Sequence, residues 1–131
     1  GDPAIHGGHL QQDEAFRTRI AELEIEIMAA EATTLRLLTS DAGTSPILPS
    51  LLKLRGSEIG QRLGELLVDA LGPHALRFDL ALARAQPQPD DPLPSYAIGR
   101  VPEYLMQRSM TIAGGSSEVQ RNIIAKMLFR D

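Results

Sequence analysis

The sequence predicts an all-α fold, an antiparallel up-and-down helical bundle, and three features of its 131 residues support that prediction. Apolar residues recur at spacings of three and four in four separate segments, which is the period of an amphipathic helix. No segment alternates between apolar and polar residues over a useful length, and there is no internal repeat. Glycine and proline residues separate the segments. An antiparallel bundle is the most economical arrangement of such helices.

Residues 1–12 are rich in glycine and lack an apolar period, so we expect a flexible tether there. The first helix begins after Asp13, the expected N-cap, and Glu14 lies near the positive end of the helix dipole. Residues 41–45 predict the turn that follows this helix. The apolar stripe of this first helix consists of Phe16, Ile20, Leu23, Ile27, Ala30, Thr34 and Leu37.

The second helix is expected over residues 46–71, because Pro46 suits a first helical position and Gly72 with Pro73 ends the pattern. Its apolar stripe consists of Leu48, Leu52, Ile59, Leu63, Leu66 and Ala70. Residues 77–100 then read as a long loop, with four prolines around Asp90 and Asp91 and one short helical turn at most, over 79–85.

A third helix is predicted over residues 102–113 and a fourth over 118–129, with Gly114 and Gly115 at the corner between them. Ser117 with Gln120 three residues later has the spacing of a capping box at the start of the fourth helix. Lys126 and Arg130 complement the negative end of that helix. Taken alone, this glycine corner indicates a tight link between helices without chemistry.

Composition restricts the class of protein. We expect a single bundle domain over residues 13–131, since 43% of the chain is apolar and can fill one core. The net charge of −4 and the lack of a basic cluster exclude a nucleic-acid partner. No apolar run reaches the length of a membrane span. The chain has no cysteine, which fits a reducing cytoplasm. It begins at Gly1 rather than methionine, so we expect a fragment of a longer protein.

Residues 111–130 carry the most specific pattern of the chain. They read TIAGGSSEVQRNIIAKMLFR, with Arg108 in register upstream. This run resembles the C-terminal signature of the acyl-CoA dehydrogenases, flavin enzymes that remove two hydrogens from the α and β carbons of an acyl-CoA thioester. Residues 50–73 also resemble the penultimate long helix of that family. The residues that carry the likeness in the signature are Gly114, Gly115, Ser116, Ser117, Glu118, Gln120, Arg121, Ile123, Ile124, Met127 and Leu128.

The resemblance implies a cofactor, FAD, and a position for this chain in a larger enzyme. Acyl-CoA dehydrogenases have a helical domain at each end of a small β-barrel and bind FAD with the middle and last domains. The chain looks like the last domain without its opening helix, so the complete enzyme is expected to extend upstream. An acyl-CoA thioester is the implied substrate, in fatty acid or sterol β-oxidation. An electron-transfer flavoprotein is the implied electron acceptor.

The same resemblance assigns roles to residues of the glycine corner. Many members hold the catalytic glutamate at the position of Gly114, and others take it from the opening helix, so the base is expected outside this chain. The Gly114 N–H is expected to donate to the thioester carbonyl. Ser116 and Glu118 match positions that contact the flavin nucleotide, and Glu118, which has no donor, is expected at ribose hydroxyls.

A second flavin contact in the family is a glutamine followed by a glycine-rich turn, which meets the FAD pyrophosphate of a neighbouring subunit. Here the turn contains Gly72, while Asp69 would repel that phosphate and Pro73 has no N–H to offer. Some family members are mixed tetramers whose subunits share fewer flavins, so both a homo-tetramer and a hetero-tetramer are open.

Other candidate residues carry weaker signals. His6 and His9 lie in the tether without a nearby carboxylate, and we predict no metal site. His74 reads as a solvated residue after a helix, and Glu103 as a helix-start residue. Two functions therefore compete: the C-terminal domain of an FAD-dependent acyl-CoA dehydrogenase, or a non-catalytic helical assembly subunit of a mixed complex. A carboxylate on the upstream helix would favour the enzyme.

Overall fold

The computed structural model describes residues 10–39, 47–76, 97 and 99–129. Within these residues four α-helices follow each other: α1 (Glu14–Thr39), α2 (Ile47–Leu71), α3 (Arg100–Gln107) and α4 (Ser117–Leu128). Short 3-10 segments precede α1, follow α2 and extend α3: Leu10–Gln12, Gly72–Leu76 and Arg108–Thr111. The described residues contain no strand, and the predicted all-α bundle is confirmed.

Several predictions fall on residues outside this description. They are the first nine residues of the tether, the turn at 41–45, the short helical turn at 79–85, the acidic pair in the proline-rich loop, and Arg130. Within the described part, Leu10–Gln12 at the end of the expected tether form a 3-10 turn.

The ends of α1 and α2 agree with their local signals. Asp13 caps α1, since its Oδ1 accepts the N–H of Phe16 at 3.1 Å. Gly72 ends α2 with a φ of 53°, a left-handed conformation that suits glycine. Both predicted ends are confirmed.

The third helix differs from its prediction of 102–113. It begins two residues earlier, at Arg100, and winds as a 3-10 segment from Arg108 to Thr111. Two side-chain hydrogen bonds accompany the tighter winding: Ser109 donates to the Met106 carbonyl at 2.7 Å and Thr111 to the Arg108 carbonyl at 3.0 Å.

The second helix is the centre of the bundle, because it contacts each of the other three helices. Ion pairs along α1 and α2 show that these two helices are antiparallel: Arg19 bonds Asp69 at 2.7 Å, and Glu26 bonds Arg62. Towards α3, a Cβ at Gly64 would lie 3.1 Å from Tyr104. Glycine therefore allows the close approach of α2 and α3.

Burial in the described residues is modest, and part of it is polar. The buried apolar residues are Leu23, Leu54, Leu66, Leu71 and Ala97, and the buried polar residues are Ser50, Ser57, Ser117 and Gln120. The predicted stripe of α2 contains only one of these, Leu66, and its Leu63 is 44% exposed. Since α2 has three neighbours, a single apolar stripe describes only one of its covered faces. Among the described helices, none combines the length and apolar character that crossing a membrane requires.

Candidate functional site

The corner between α3 and α4 is a reversal of the chain over residues 112–116. The N–H groups of Ile112 and Ala113 both donate to the Ser109 carbonyl, at 3.0 and 2.9 Å. Gly114 and Gly115 then have φ angles of 68° and 94°. Side chains other than that of glycine are disfavoured in this left-handed region, so the corner depends on the two glycines.

Ser116, and not Ser117, caps α4, so the predicted capping box is wrong by one residue. Ser116 has extended backbone angles, and its Oγ accepts the N–H of Val119 at 3.3 Å. The residue three positions after Ser116 is Val119, which has no polar side chain for a reciprocal bond. Ser117 and Gln120 are therefore available for other contacts.

Three side chains bind backbone carbonyls in the corner or just before it. Buried Ser117 donates to Thr111 O at 3.4 Å, and buried Gln120 donates through Nε2 to Gly114 O at 3.4 Å. Lys53, on α2, donates through Nζ to Met110 O at 3.1 Å. The corner is thus attached to both helices that carry these donors.

The corner has two hydrogen-bond donors without a partner in the described part of the chain. Among the described residues, the N–H groups of Gly114 and Gly115 have no acceptor. A Cβ at Gly114 would meet no atom within 4 Å, whereas one at Gly115 would lie 2.8 Å from Gln120 Nε2. The exposed side of Gly114 therefore has room for a bound group, and Gly115 is closed by Gln120.

Glu118 gives the start of α4 a negative charge. Its own backbone N–H and the Ser116 hydroxyl, followed by the charges of Arg121 and Lys53, hold the pKa of this exposed carboxyl below its ordinary value. Glu118 is therefore ionised at neutral pH and accepts hydrogen bonds without donating. Because a general base works best with a pKa near the working pH, the lowered pKa makes it a poor one.

Gly72 lies far from the other three predicted site residues. Lys53 contacts the segment before the corner, and the 19 residues of α2 from Lys53 to Leu71 span roughly 28 Å of helix. The structure therefore brings Gly114, Ser116 and Glu118 together at one end of α2 and places Gly72 at the other. Within one chain, the glycine corner and Gly72 therefore cannot contact the same part of a bound ligand.

At the Gly72 end, the acidic group is already paired. Arg19 Nη1 lies 2.7 Å from Asp69 Oδ2, with both side chains about half exposed. The pair offsets part of the negative charge that Asp69 would present to a phosphate. His74 is half-buried in the following 3-10 segment, and Pro73 supplies no N–H there.

Other described groups give little support for a site. No cluster of three or more metal-ligating side chains occurs among the described residues. Glu103 is paired with Arg100 at 2.6 Å at the start of α3. An apolar groove of about 280 Å³ lies between α1 and α2. These features leave the glycine corner as the candidate site.

The sequence did not predict the carbonyl contacts of Lys53 and Gln120, which lie outside the corner itself. Lys53 is 57 positions from its acceptor, and no local pattern connects them. Gln120 belongs to the signature run, but its spacing from Ser117 suggested a helix cap, and only the coordinates show it on the Gly114 carbonyl.

Comparison with known proteins gives the family. A search of curated proteins and a search of solved structures returned no match. The family model for the C-terminal domain of acyl-CoA dehydrogenases matches residues 2–129, which include all four helices and the glycine corner. This chain therefore belongs to the acyl-CoA dehydrogenase C-terminal domain family.

Proposed function

We propose that this chain is the C-terminal helical domain of an FAD-dependent acyl-CoA dehydrogenase, which removes hydrogens from the α and β carbons of an acyl-CoA thioester. The observation that carries the proposal is the state of the glycine corner, where Gly114 is exposed. Two N–H groups there lack an acceptor among the described residues, and the space beside Gly114 is open. Such donors suit a carbonyl oxygen that becomes negative during a reaction.

The role of Gly114 follows from that arrangement. Its N–H donates to the thioester carbonyl, which makes the α-proton more acidic and stabilises the enolate-like charge as the proton leaves. A backbone donor held by a hydrogen-bonded turn needs little reorganisation during the reaction. This favours the transition state over the bound substrate.

The proton acceptor in this proposal lies upstream of the chain. Gly114 has no side chain, and the pKa of Glu118 is lowered by its own N–H and by Ser116. A carboxylate from the helix that precedes this domain in the complete enzyme takes the α-proton instead. The chain then supplies the carbonyl donors, and another segment supplies the base.

The resemblance to the family assigns the cofactor contacts, and the chemistry of the side chains narrows the role of Glu118. FAD supplies the acceptor for the hydride that leaves the β-carbon. The Glu118 carboxylate fits ribose hydroxyls, which donate, and does not fit a pyrophosphate, which would be repelled. Ser116 offers its hydroxyl beside Glu118. Gly72, at the far end of α2, would contact the flavin of a neighbouring subunit in a homo- or hetero-tetramer. The proposed electron acceptor is an electron-transfer flavoprotein.

A non-catalytic assembly subunit is the second candidate. Two observations favour it: the corner holds glycine where a base could stand, and Asp69 with Pro73 gives the far end of α2 a poor surface for a phosphate. In that case the helical fold serves only the contacts between subunits of a mixed complex.

The absorbance of the complete protein tests these two candidates. If the protein is an enzyme, the purified protein with its upstream segment should contain FAD. Mixing it with an acyl-CoA should then bleach the flavin absorbance in a single turnover. Neutralising the upstream carboxylate should abolish that loss while leaving the flavin bound. A complex that assembles normally but shows no bleaching with any acyl-CoA would contradict the enzyme and favour the assembly role.

A further inference from the structure

The side chain of Gln120 holds the carbonyl of the first glycine in the corner. It is one of four buried polar residues in the described part of the chain and is only 9% exposed. Its Nε2 donates to Gly114 O at 3.4 Å, and a Cβ at Gly115 would lie 2.8 Å from the same nitrogen. The carboxamide therefore lies directly against the peptide that joins the two glycines.

Fixing that carbonyl directly fixes one N–H group of the corner, that of Gly115. The described residues have no cis peptide bond, so the Gly115 N–H lies in the same plane as Gly114 O and points in the opposite direction. The Gly114 N–H is one Cα away, and its direction relative to this plane depends on the two torsions of a glycine, which few steric limits restrict. Without an external constraint, the pair of glycines could rotate.

We propose that Gln120 is a positioning residue, which holds the Gly114–Gly115 peptide so that the corner N–H groups point at the thioester carbonyl. This inference rests on the proposed function. Gln120 acts through the backbone and does not touch the substrate. Lys53 and Ser117 hold the preceding Met110 and Thr111 carbonyls, and Gln120 is the side chain that reaches the glycine pair itself.

The test uses the complete FAD-loaded protein and an acyl-CoA thioester whose β-carbon carries no hydrogen. This probe cannot be dehydrogenated, so its infrared carbonyl band, marked with ¹³C, reports hydrogen bonding without turnover. In the unaltered protein the band should shift to lower frequency on binding. Gln120→Met keeps the size of the side chain and removes the donor, so the shift should be mostly lost.

A matched control comes from another glutamine. Gln61 lies on α2, and its buried Nε2 has no hydrogen-bond partner among the described residues. Gln61→Met therefore makes the same chemical change without releasing a corner carbonyl and should keep the full band shift. With a normal substrate, Gln120→Met should reduce the rate of flavin bleaching roughly tenfold or more, because misplaced donors lose transition-state stabilisation.

Gln120→Glu adds a pH-dependent readout that simple loss of packing would not produce. The ionised carboxylate cannot donate to Gly114 O, whereas the protonated acid can. The band shift should be lost at neutral pH and return as the pH falls through the pKa of the new carboxyl. The unaltered protein, measured at the same pH values, should show little change.

The outcomes separate the two ideas. If the unaltered protein neither binds the probe nor shifts its carbonyl band, the proposed function fails and the role of Gln120 fails with it. If the unaltered protein shifts the band and Gln120→Met gives the same shift, only the role of Gln120 is overturned. A Gln120→Glu protein whose band shift is full at every pH would overturn it as well, even if Gln120→Met does not fold.

Discussion

At the scale of single residues, Gly114 differs from Gly115 in the space around it. Both have a positive φ, yet only the position of Gly114 is open to an added side chain. This difference matters for the proposed chemistry, because the resemblance to acyl-CoA dehydrogenases puts a glutamate at this position in many members. A side chain at position 114 would strain the backbone but would not collide with a neighbouring atom.

We expect Gly114→Glu to restore part of the activity in a complete enzyme whose upstream carboxylate has been neutralised. The new carboxylate starts from a position beside the proposed thioester site, and geometry is the first requirement for a general base. The φ of 68° should cost roughly 1–2 kcal/mol of stability for a residue with a Cβ. Stopped-flow bleaching of the flavin measures the recovered step.

Gly114→Gln is the control for this variant, since it has the same backbone strain and nearly the same size without a base. Recovery by the glutamate and not by the glutamine would support the placement of Gly114. A glutamate variant that folds, binds FAD and substrate and bleaches no faster than the base-less parent would show that Gly114 is not beside the α-carbon.

Ser116 is expected to influence both the stability of α4 and the titration of Glu118. Ser116→Ala removes the bond to Val119 N–H and should cost about 1 kcal/mol of unfolding free energy. It also removes a hydroxyl that lowers the pKa of Glu118, so that pKa should rise towards its ordinary value. NMR titration of the Glu118 carboxyl and urea unfolding measure the two effects.

The sign of the pH effect follows from the lowered pKa. A carboxyl with a lower pKa in the folded state contributes stability above its unfolded pKa, and this contribution is lost as the pH falls through the folded pKa. The Glu118 contribution should therefore be present at neutral pH and absent in strong acid, and small because the group is exposed. A Glu118 pKa that stays the same after Ser116→Ala would contradict the assigned cause.

At the scale of elements, α2 carries glycines at a spacing of four, and their surroundings differ. A Cβ at Gly56 would meet nothing within 4 Å, and one at Gly60 would lie 3.1 Å from the flexible end of Gln107. At Gly64 it would lie 3.1 Å from the Tyr104 ring and 3.5 Å from the Tyr104 Cα. Only Gly64 has backbone of another helix this close.

Alanine substitution of these three glycines should therefore give a graded result. Each change gains roughly 0.5–1 kcal/mol, because glycine in a helix loses more conformational entropy than alanine. Gly56→Ala should show that full gain and Gly60→Ala a gain or no change. Gly64→Ala should be destabilising by about 1–3 kcal/mol, since Tyr104 and its backbone must move.

Urea unfolding of the three variants beside the unaltered chain measures this order. Gly56→Ala serves as the internal control for helix propensity. Equal stabilisation by all three substitutions would mean that α2 and α3 are not in close contact at Gly64.

At the scale of the whole molecule, the chain exposes much apolar surface. The most exposed large apolar residues of the described part include Leu38, Met106, Ile112 and Phe129, at 71–82% exposure. Among the described residues, no large side chain is fully buried. Apolar surface of this extent usually contacts another domain or chain.

We therefore expect the isolated chain to self-associate, and to bind no FAD because the rest of the proposed flavin site is missing. We expect three apolar residues of the signature run at the contact: Met127 and Leu128, which are exposed, and Ile123, which is half-buried. Light scattering should show species larger than 14.2 kDa that become smaller in Leu128→Ser. Glu24→Ser, at an exposed polar position, is the control for this measurement. In a separate titration of the isolated chain with FAD, the fluorescence of the flavin should stay unquenched.

A clean monomer at high concentration would contradict the first expectation. Stoichiometric FAD binding by the isolated chain would contradict the second and would mean that these helices form the flavin site without the upstream part. Either result would change the proposed division of roles between this chain and its neighbours.

Features that depend on local chemistry could be predicted from the amino-acid sequence. The apolar period gave the four helices, Asp13 and Gly72 marked ends of α1 and α2, and the signature run located the glycine corner. These signals lie within a few residues of what they control, so they can be read without coordinates. Only part of α2 followed from its pattern, because period analysis finds one stripe and this helix has three neighbours.

Tertiary structure decided which groups meet. Ser116 caps α4 in place of Ser117, Gln120 holds the Gly114 carbonyl, and Lys53 of α2 binds the Met110 carbonyl just before the corner. The separation of Gly72 from the corner also needed the structure, because it depends on the direction of α2 relative to α3 and α4. Such contacts join positions that are distant in the chain or differ by one residue in register, and only packing of the helices fixes them.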